Sequence, residues 1–259
     1  MKPSFLGHAK PLLTSMIQVD NPERAISEIV NATADGADAF GLQLCRLNPK
    51  FKTEDTYRNI FSYAGDKPIY ITNYRTAYNQ GLTDEHLVEG ILTAIKAGAT
   101  LCDIMGDMFD PSPLEITKNP AVVDKQKKLI DAVHKEGGEV LMSSHTFEFL
   151  KEEQVLKIAK MHESRGADIS KIVTASTTEE EMLENLKITA ALKRELKIPF
   201  LFLSVGRFCK MHRMIGPMLG SCMYLCVFRH DEISTKLQPV LKNVKAVVDN
   251  FDWKPGREI

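Results

Sequence analysis

Short apolar runs alternate with longer stretches whose apolar residues recur every three or four positions, and this alternation continues from near the start of the chain to near its end. A continuous apolar run of about five residues suits a buried strand, while the longer periodic stretches suit helices that pack by one face. Eight strand-then-helix pairs can be read. The predicted strands are Leu12 to Val19, Ala39 to Leu44, Pro68 to Asn73, Leu101 to Met105, Glu139 to Ser143, Ser170 to Thr174, Phe200 to Ser204 and Ser221 to Cys226. The charges fall mainly on the helices between them.

Punctuation agrees with the periodicity. Gly36-Ala37-Asp38, Gly98-Ala99-Thr100 and Gly166-Ala167-Asp168 each end a helix on a glycine just before the next strand, where a left-handed residue stops the helix. Pro22 after Asn21 suits a first helical turn, and Thr178 with Glu181 forms a capping-box pattern. Repeated βα units imply parallel strands, and eight of them can close into a barrel whose βα loops share one face. An open doubly wound sheet is the rival. It is disfavoured because Gln18-Val19-Asp20-Asn21, and no Gly-rich phosphate loop, follows the first strand. The expected fold is α/β, a single (β/α)8 barrel of the TIM type spanning residues 1–259 as one catalytic domain.

In such a barrel the chemistry belongs at the C-terminal ends of the strands. Gln18, Gln43, Asn73, Arg75, Asp103, His145, Lys171, Thr174, Ser204, Gly206, Arg207, Arg213, Ser234 and Gln238 fall at or just beyond them. Lys171 stands inside Ala167–Thr174, a run that otherwise reads as a buried strand. Burial disfavours the charged form of an amine and so favours a nucleophile able to form an imine with a ketone. The bland alternative is a lysine that snorkels to water or pairs with Asp168. His145 ends the preceding strand and could move the protons that imine chemistry requires. Arg75 and Arg213 are candidates for a bidentate grip on a carboxylate, and Arg207 reads as a surface ion pair.

Composition narrows the partner. With 33 basic and 34 acidic residues the formal charge is -1, which offers no pull towards nucleic acid or an anionic membrane. A small keto acid is the expected ligand. Five cysteines without a CxxC pair argue against a disulfide framework and a zinc site. No apolar run of about 18 residues and no basic-then-apolar start is present, so neither a membrane span nor a signal peptide is expected and the cytoplasm is the expected location. Cys209 with His212 lacks further metal ligands, and Glu179–Glu181 reads as a helix N-terminus complementing the dipole.

The order of these features resembles the type I 3-dehydroquinate dehydratases, Schiff-base lyases of the shikimate pathway of aromatic amino acid biosynthesis. Asp168-Ile169-Ser170-Lys171-Ile172 is similar to that family's segment with the imine-forming lysine, and Ser143-Ser144-His145-Thr146-Phe147 to its segment with the acid/base histidine. Arg75-Thr76 resembles a substrate-binding pair, with Gly81 as the remnant of a Glu-Gly-Gly. Gly206, Arg213, Gly216 and Gly220-Ser221 fall in the family's seventh-strand glycine pattern, whose arginine holds the substrate carboxylate. Ser234 and Gln238 keep the outer residues of a lid loop that touches substrate.

The resemblance implies a carbon–oxygen lyase that dehydrates 3-dehydroquinate through a lysine imine, with Lys171 and His145 catalytic and with Arg75, Arg213, Ser234, Gln238 and Gln43 binding substrate. No metal or organic cofactor is implied, since the iminium is the electron sink. A homodimer is also implied. The departures lie in the groups that read ring hydroxyls. Gly41-Leu42-Gln43 replaces a Glu-Trp-Arg, Asp103-Ile104-Met105 replaces an Asp-Val-Glu, and Asn79 stands where an acidic partner for the histidine is expected. They leave open a related class I dehydratase or aldolase on another keto acid, and a barrel that binds keto acids without turnover.

Overall fold

The computed structural model describes residues 3–251. Its strands are β1 (Leu12–Ile17), β2 (Ala39–Gln43), β3 (Ile69–Thr72), β4 (Leu101–Met105), β5 (Glu139–His145), β6 (Ile169–Ala175), β7 (Phe200–Val205) and β8 (Met223–Cys226). After them come the helices α1 (Pro22–Ala34), α2 (Glu54–Ser62), α3 (Asp84–Lys96), α4 (Pro120–Lys135), α5 (Glu152–Ser164), α6 (Glu179–Glu195), α7 (Cys209–Leu219) and α8 (Leu241–Val248). All strand pairs are parallel, in the order β7-β6-β5-β4-β3-β2-β1-β8. The Cys222 amide donates to the Phe200 carbonyl at 2.8 Å, and the Ser221 hydroxyl accepts from the Phe202 amide at 3.1 Å. These bonds bring the last strand beside the seventh, and the sheet becomes a nearly closed barrel of the TIM type.

The local signals act as expected. Gly36, Gly98 and Gly166 have φ of 87°, 121° and 92°, a left-handed conformation that side chains with a Cβ disfavour. Asn21 caps α1 by accepting from the Arg24 amide at 2.9 Å, with Pro22 in the first turn. Thr178 and Glu181 make the reciprocal capping box of α6. Strand ends differ from the sequence reading by at most two residues, and β4 coincides with it. Most usefully for the site, β5 runs on to include His145.

Alternation along the strands divides the interior in two. Outward-facing apolar residues pack under the helices. Inward-facing ones, among them Leu12, Leu101, Leu141, Ile169 and Leu201, fill the barrel. Phe5 closes this inner core from below, 2% exposed and edge-on to Tyr70 with ring centroids 6.3 Å apart. Its amide donates to Glu139 Oε2 at 3.0 Å. The segment before β1 thus stoppers the N-terminal end and leaves the polar inner positions to face the other mouth.

One buried cation anchors the barrel wall from outside. Arg165, 4% exposed, donates to the Gly106 carbonyl at 2.7 Å, to Gln126 Oε1 at 2.8 Å and to the Thr117 carbonyl at 2.5 Å. It therefore fastens both ends of the long β4–α4 loop. Arg165→Met leaves these buried acceptors unpaired, and urea unfolding should register a loss of roughly 2–4 kcal/mol. A loss below about 1 kcal/mol would mean that water satisfies them equally well.

Candidate active site

The parallel register sets Ser143 beside Lys171 on neighbouring strands, with Val173 beside His145. A period of two then turns Lys171, Ser143 and His145 to the inner face. Lys171 is 4% exposed and not alone. Its Nζ donates to Asp103 Oδ2 at 3.0 Å, to the Tyr74 hydroxyl at 2.5 Å and to the Tyr70 hydroxyl at 3.2 Å. The expectation of a lone amine, or of one paired with Asp168, is therefore corrected. Asp168 instead accepts from the Val140 amide at 2.7 Å and lies 2.8 Å from His134.

Asp103 gathers the charges at this depth. Besides the ammonium it accepts from Tyr70 and Ser143, each at 2.5 Å, and from Tyr74 at 2.6 Å. Burial alone pushes its carboxyl up. Lys171, then His145 and the Ser143 and Tyr70 hydroxyls, outweigh that and hold it below the ordinary carboxylate range. Burial, then the negative charge of Asp103, pushes both tyrosines well above the usual phenol range, so they remain neutral donors.

His145 stands at the rim of the same space, its ring edge-on to Tyr74 with centroids 5.0 Å apart. Its Nδ1 lies 2.6 Å from Glu115 Oε2, which also accepts from the His145 amide at 2.7 Å. Asn79 is elsewhere, bonded to Lys52, Asn73 and the Tyr74 carbonyl. The carboxylate beside the His145 ring thus comes from the β4–α4 loop and not from the neighbourhood of Asn79.

Lys171, His145 and Tyr74 line a cavity of about 140 Å³ at the C-terminal end of the barrel, together with Gln43, Thr72, Arg213 and Gln238. Arg213 is 7% exposed. Its Nε donates to the Ser204 carbonyl at 2.9 Å, and among the described residues no carboxylate lies within ion-pair distance of it. Burial lowers its proton affinity, with Cys209 opposing. A sequestered guanidinium without a counterion is a ready receptor for an anion. The Thr72 hydroxyl is buried and finds no partner among the described residues. Gln238 is bound through its Oε1 by Gln18 Nε2 at 3.1 Å, and Gln18 also accepts from the Thr235 amide at 3.1 Å. The loop after β8 is thereby tied to β1.

Lys171, His145, Gln43, Arg213 and Gln238 are therefore brought together. Arg75 and Ser234 are not. Arg75 is held by Asp84 through two bonds of 2.7 Å and by Asp107 Oδ1 at 2.8 Å, so its fork is already occupied. Ser234 accepts from the Asp231 amide at 2.9 Å and donates to the Arg229 carbonyl at 3.3 Å, an internal turn of its own loop. Neither lines the cavity. The residues that sequence reasoning left without a role are Asp103, Tyr70, Tyr74, Thr72 and Glu115. Asp103 and the tyrosines carry a signal, since polar groups inside predicted strands must point somewhere satisfied.

The remaining wall is apolar: Met16, Val173, Leu203, Val205 and Leu225. Met16 sits opposite Gly41 in the β1–β2 register. A Cβ on Gly41 would lie 2.2 Å from the Met16 sulfur, so the methionine fills the space a side chain on β2 would use.

A family model for type I 3-dehydroquinase matches residues 15–248 of the chain. The chain is 28% identical over 236 residues to a 3-dehydroquinate dehydratase of Geobacillus thermodenitrificans (strain NG80-2), covering 86% of this chain and 84% of that one. It is 31% identical over 177 residues to the enzyme of Listeria monocytogenes serotype 4a (strain HCC23), covering 66% and 65%. Among solved structures, the 3-dehydroquinate dehydratase of Geobacillus kaustophilus HTA426 superposes with a TM-score of 0.79 at 18% identity, over 94% of this chain and 91% of that one. The type I enzyme of Clostridium difficile, solved with covalently modified comenic acid, gives 0.78 at 18% identity over 94% and 93%. At that identity the superpositions speak for the fold.

The Asp103–Lys171 pair also shapes stability against pH. A carboxyl depressed in the folded state contributes stability above its unfolded pKa and loses it as pH falls through the folded value. Asp103→Asn removes the counterion of a buried ammonium, so near neutral pH urea unfolding should show a loss of about 3–5 kcal/mol. In strongly acidic buffer the wild-type and D103N curves should converge. A gap that persists undiminished in acid would assign the loss to packing rather than to charge.

Proposed function

The chain belongs to the type I 3-dehydroquinase family, and we propose that it eliminates water from 3-dehydroquinate by way of an imine on Lys171. The carrying observation is that a buried amine, an imidazole and an arginine with no carboxylate partner among the described residues line one cavity at the mouth of the barrel. Each answers to a feature of the substrate: a ketone, an acidic proton beside it, and a carboxylate.

Lys171 first gives up a proton. Its contacts with Asp103 and Tyr74 supply neighbours that can relay it. The amine then adds to the ketone carbon, and loss of the carbonyl oxygen as water leaves a protonated imine. That cation draws electrons from the adjacent carbon, whose proton passes to His145 Nε2, the ring nitrogen not engaged by Glu115. The enamine expels the β-hydroxyl, which takes a proton from the same imidazole and departs as water. Hydrolysis of the conjugated imine returns the amine. Asp103 stays beside the nitrogen and offsets its positive charge in a buried site.

Arg213 receives the carboxylate, and Gln238, Gln43 and Thr72 offer hydrogen bonds to the ring hydroxyls. The wall of Met16, Leu203 and Leu225 favours a second reading of the same chemistry, on a keto acid with fewer hydroxyls.

Sodium borohydride trapping read by intact mass tests both. Wild-type protein should gain an adduct with 3-dehydroquinate on Lys171, and Lys171→Ala should gain none. An adduct with another keto acid from a panel, and none with 3-dehydroquinate, would select the second reading. Arg213→Met should raise KM roughly 10- to 100-fold, the equivalent of one charge-assisted hydrogen bond. An unchanged KM would remove Arg213 from the carboxylate site.

A further inference from the structure

The loop between β4 and α4, residues 106–119, carries no helix or strand, yet nearly every turn of it is pinned. Arg75 donates to Asp107 through both its carboxylate, at 2.8 Å, and its carbonyl, at 3.1 Å. Asp107 in turn accepts from the Ser112 amide at 2.6 Å. Ser112 accepts from the Glu115 amide at 3.0 Å through its carbonyl and from the Ile116 amide at 2.9 Å through its hydroxyl. The Thr117 amide returns to the Gly106 carbonyl at 3.1 Å, and Arg165 clamps both of those residues from outside.

These bonds converge on one residue. Glu115 has φ of 49°, the left-handed region that a residue with a side chain avoids. Such a conformation persists only where surroundings over-determine it, and such residues cluster at functional sites. Its carbonyl accepts from the Ser144 hydroxyl at 2.8 Å. Ser144 has one proton, so His162, 3.0 Å away, must donate to it from Nε2 and accept from Ser170 through Nδ1. Burial, then the neighbouring Arg165, lowers His162 to about 3, which keeps that ring neutral. Gly106 completes the seat, because a Cβ there would stand 2.6 Å from the Glu115 carbonyl.

What the seat presents is a carboxylate against the catalytic imidazole. Resting on the reading of His145 as the proton-transfer group, we infer that Glu115 is its positioning residue, taking the place of the acidic group absent at Asn79. Glu115 Oε2 accepts from Nδ1–H and from the His145 amide together, so ring rotation and tautomer are set by one atom. The proton on Nδ1 leaves Nε2 as the base, and the carboxylate stabilises the imidazolium that forms when Nε2 takes the substrate proton. Arg75 acts in this arrangement as the bolt of the loop rather than as a ligand for substrate.

Glu115→Gln keeps the size and an acceptor but removes the charge, whereas Glu115→Asp keeps the charge. E115Q should lower kcat about 10- to 100-fold, the range typical of groups that orient a functional imidazole, with KM within about twofold of wild type. E115D should recover part of the loss, and borohydride should still trap the Lys171 adduct in both. If E115Q keeps kcat within about twofold of wild type, Glu115 is only a brace for its loop and the inference fails. If wild-type protein turns over no 3-dehydroquinate, it is the assigned substrate that fails. Nitrogen-15 chemical shifts of the His145 ring then decide the role of Glu115 without turnover. The Nδ1–H tautomer in wild type and a mixture in E115Q are expected, and the same tautomer in both overturns the inference.

Discussion

An ammonium and a carboxylate 3.0 Å apart inside a barrel lined with leucines constrain everything around them. Two charges at that depth lose their hydration, and only mutual attraction with further hydrogen bonds offsets the loss. The structure answers with three hydroxyls on one carboxylate, from Tyr70, Tyr74 and Ser143. Tyr70 and Tyr74 come from β3 and the segment after it and Ser143 from β5, so the pair stitches β3, β4, β5 and β6 together across the barrel. Lys171 is consequently held on rigid strands rather than on a loop, as the proposed imine formation at a fixed point in space requires.

The other cavity groups come from a strand end, a helix and a loop. His145 ends its strand and is only partly buried, its side chain 24% exposed. Arg213 comes from a helix, and Gln238 from the loop after β8 that Gln18 ties down. The more open position of His145 suits a reaction in which covalent attachment happens at the bottom of the pocket while the imidazole serves the substrate nearer the rim. Excluding water from the amine and its imine protects both from premature hydrolysis.

The fold was legible because it repeats. One glycine-terminated join recurs before β2, β4 and β6, and a local signal that recurs is harder to misread than one that occurs once. Lys171 and His145 were legible for a related reason: each is a polar residue at the end of, or within, an apolar run. The partners of both were hidden. Asp103 lies 68 residues from Lys171 and Glu115 lies 30 from His145, and no spacing rule connects residues that meet only when strands align. Arg75 misled because its surroundings in sequence resemble a substrate-binding pair, while Asp84 and Asp107, which saturate it, look from the sequence like helix-start and loop acids. On β2 Gly41 makes room for Met16, while Thr72 and the tyrosines bring oxygen atoms from β3 and the segment after it.

Phe5 beneath the inner core has a bearing on traffic. With the N-terminal end stoppered by that ring, the cavity opens, among the described residues, at the C-terminal mouth, so keto acid, product and the water of the proposed cycle pass the same rim. The water expelled when the imine forms, the one lost from the substrate and the one that later cleaves the adduct must pass the same rim in sequence. Departing and arriving water therefore share one path, so a narrowing of that rim would slow imine formation and imine hydrolysis together.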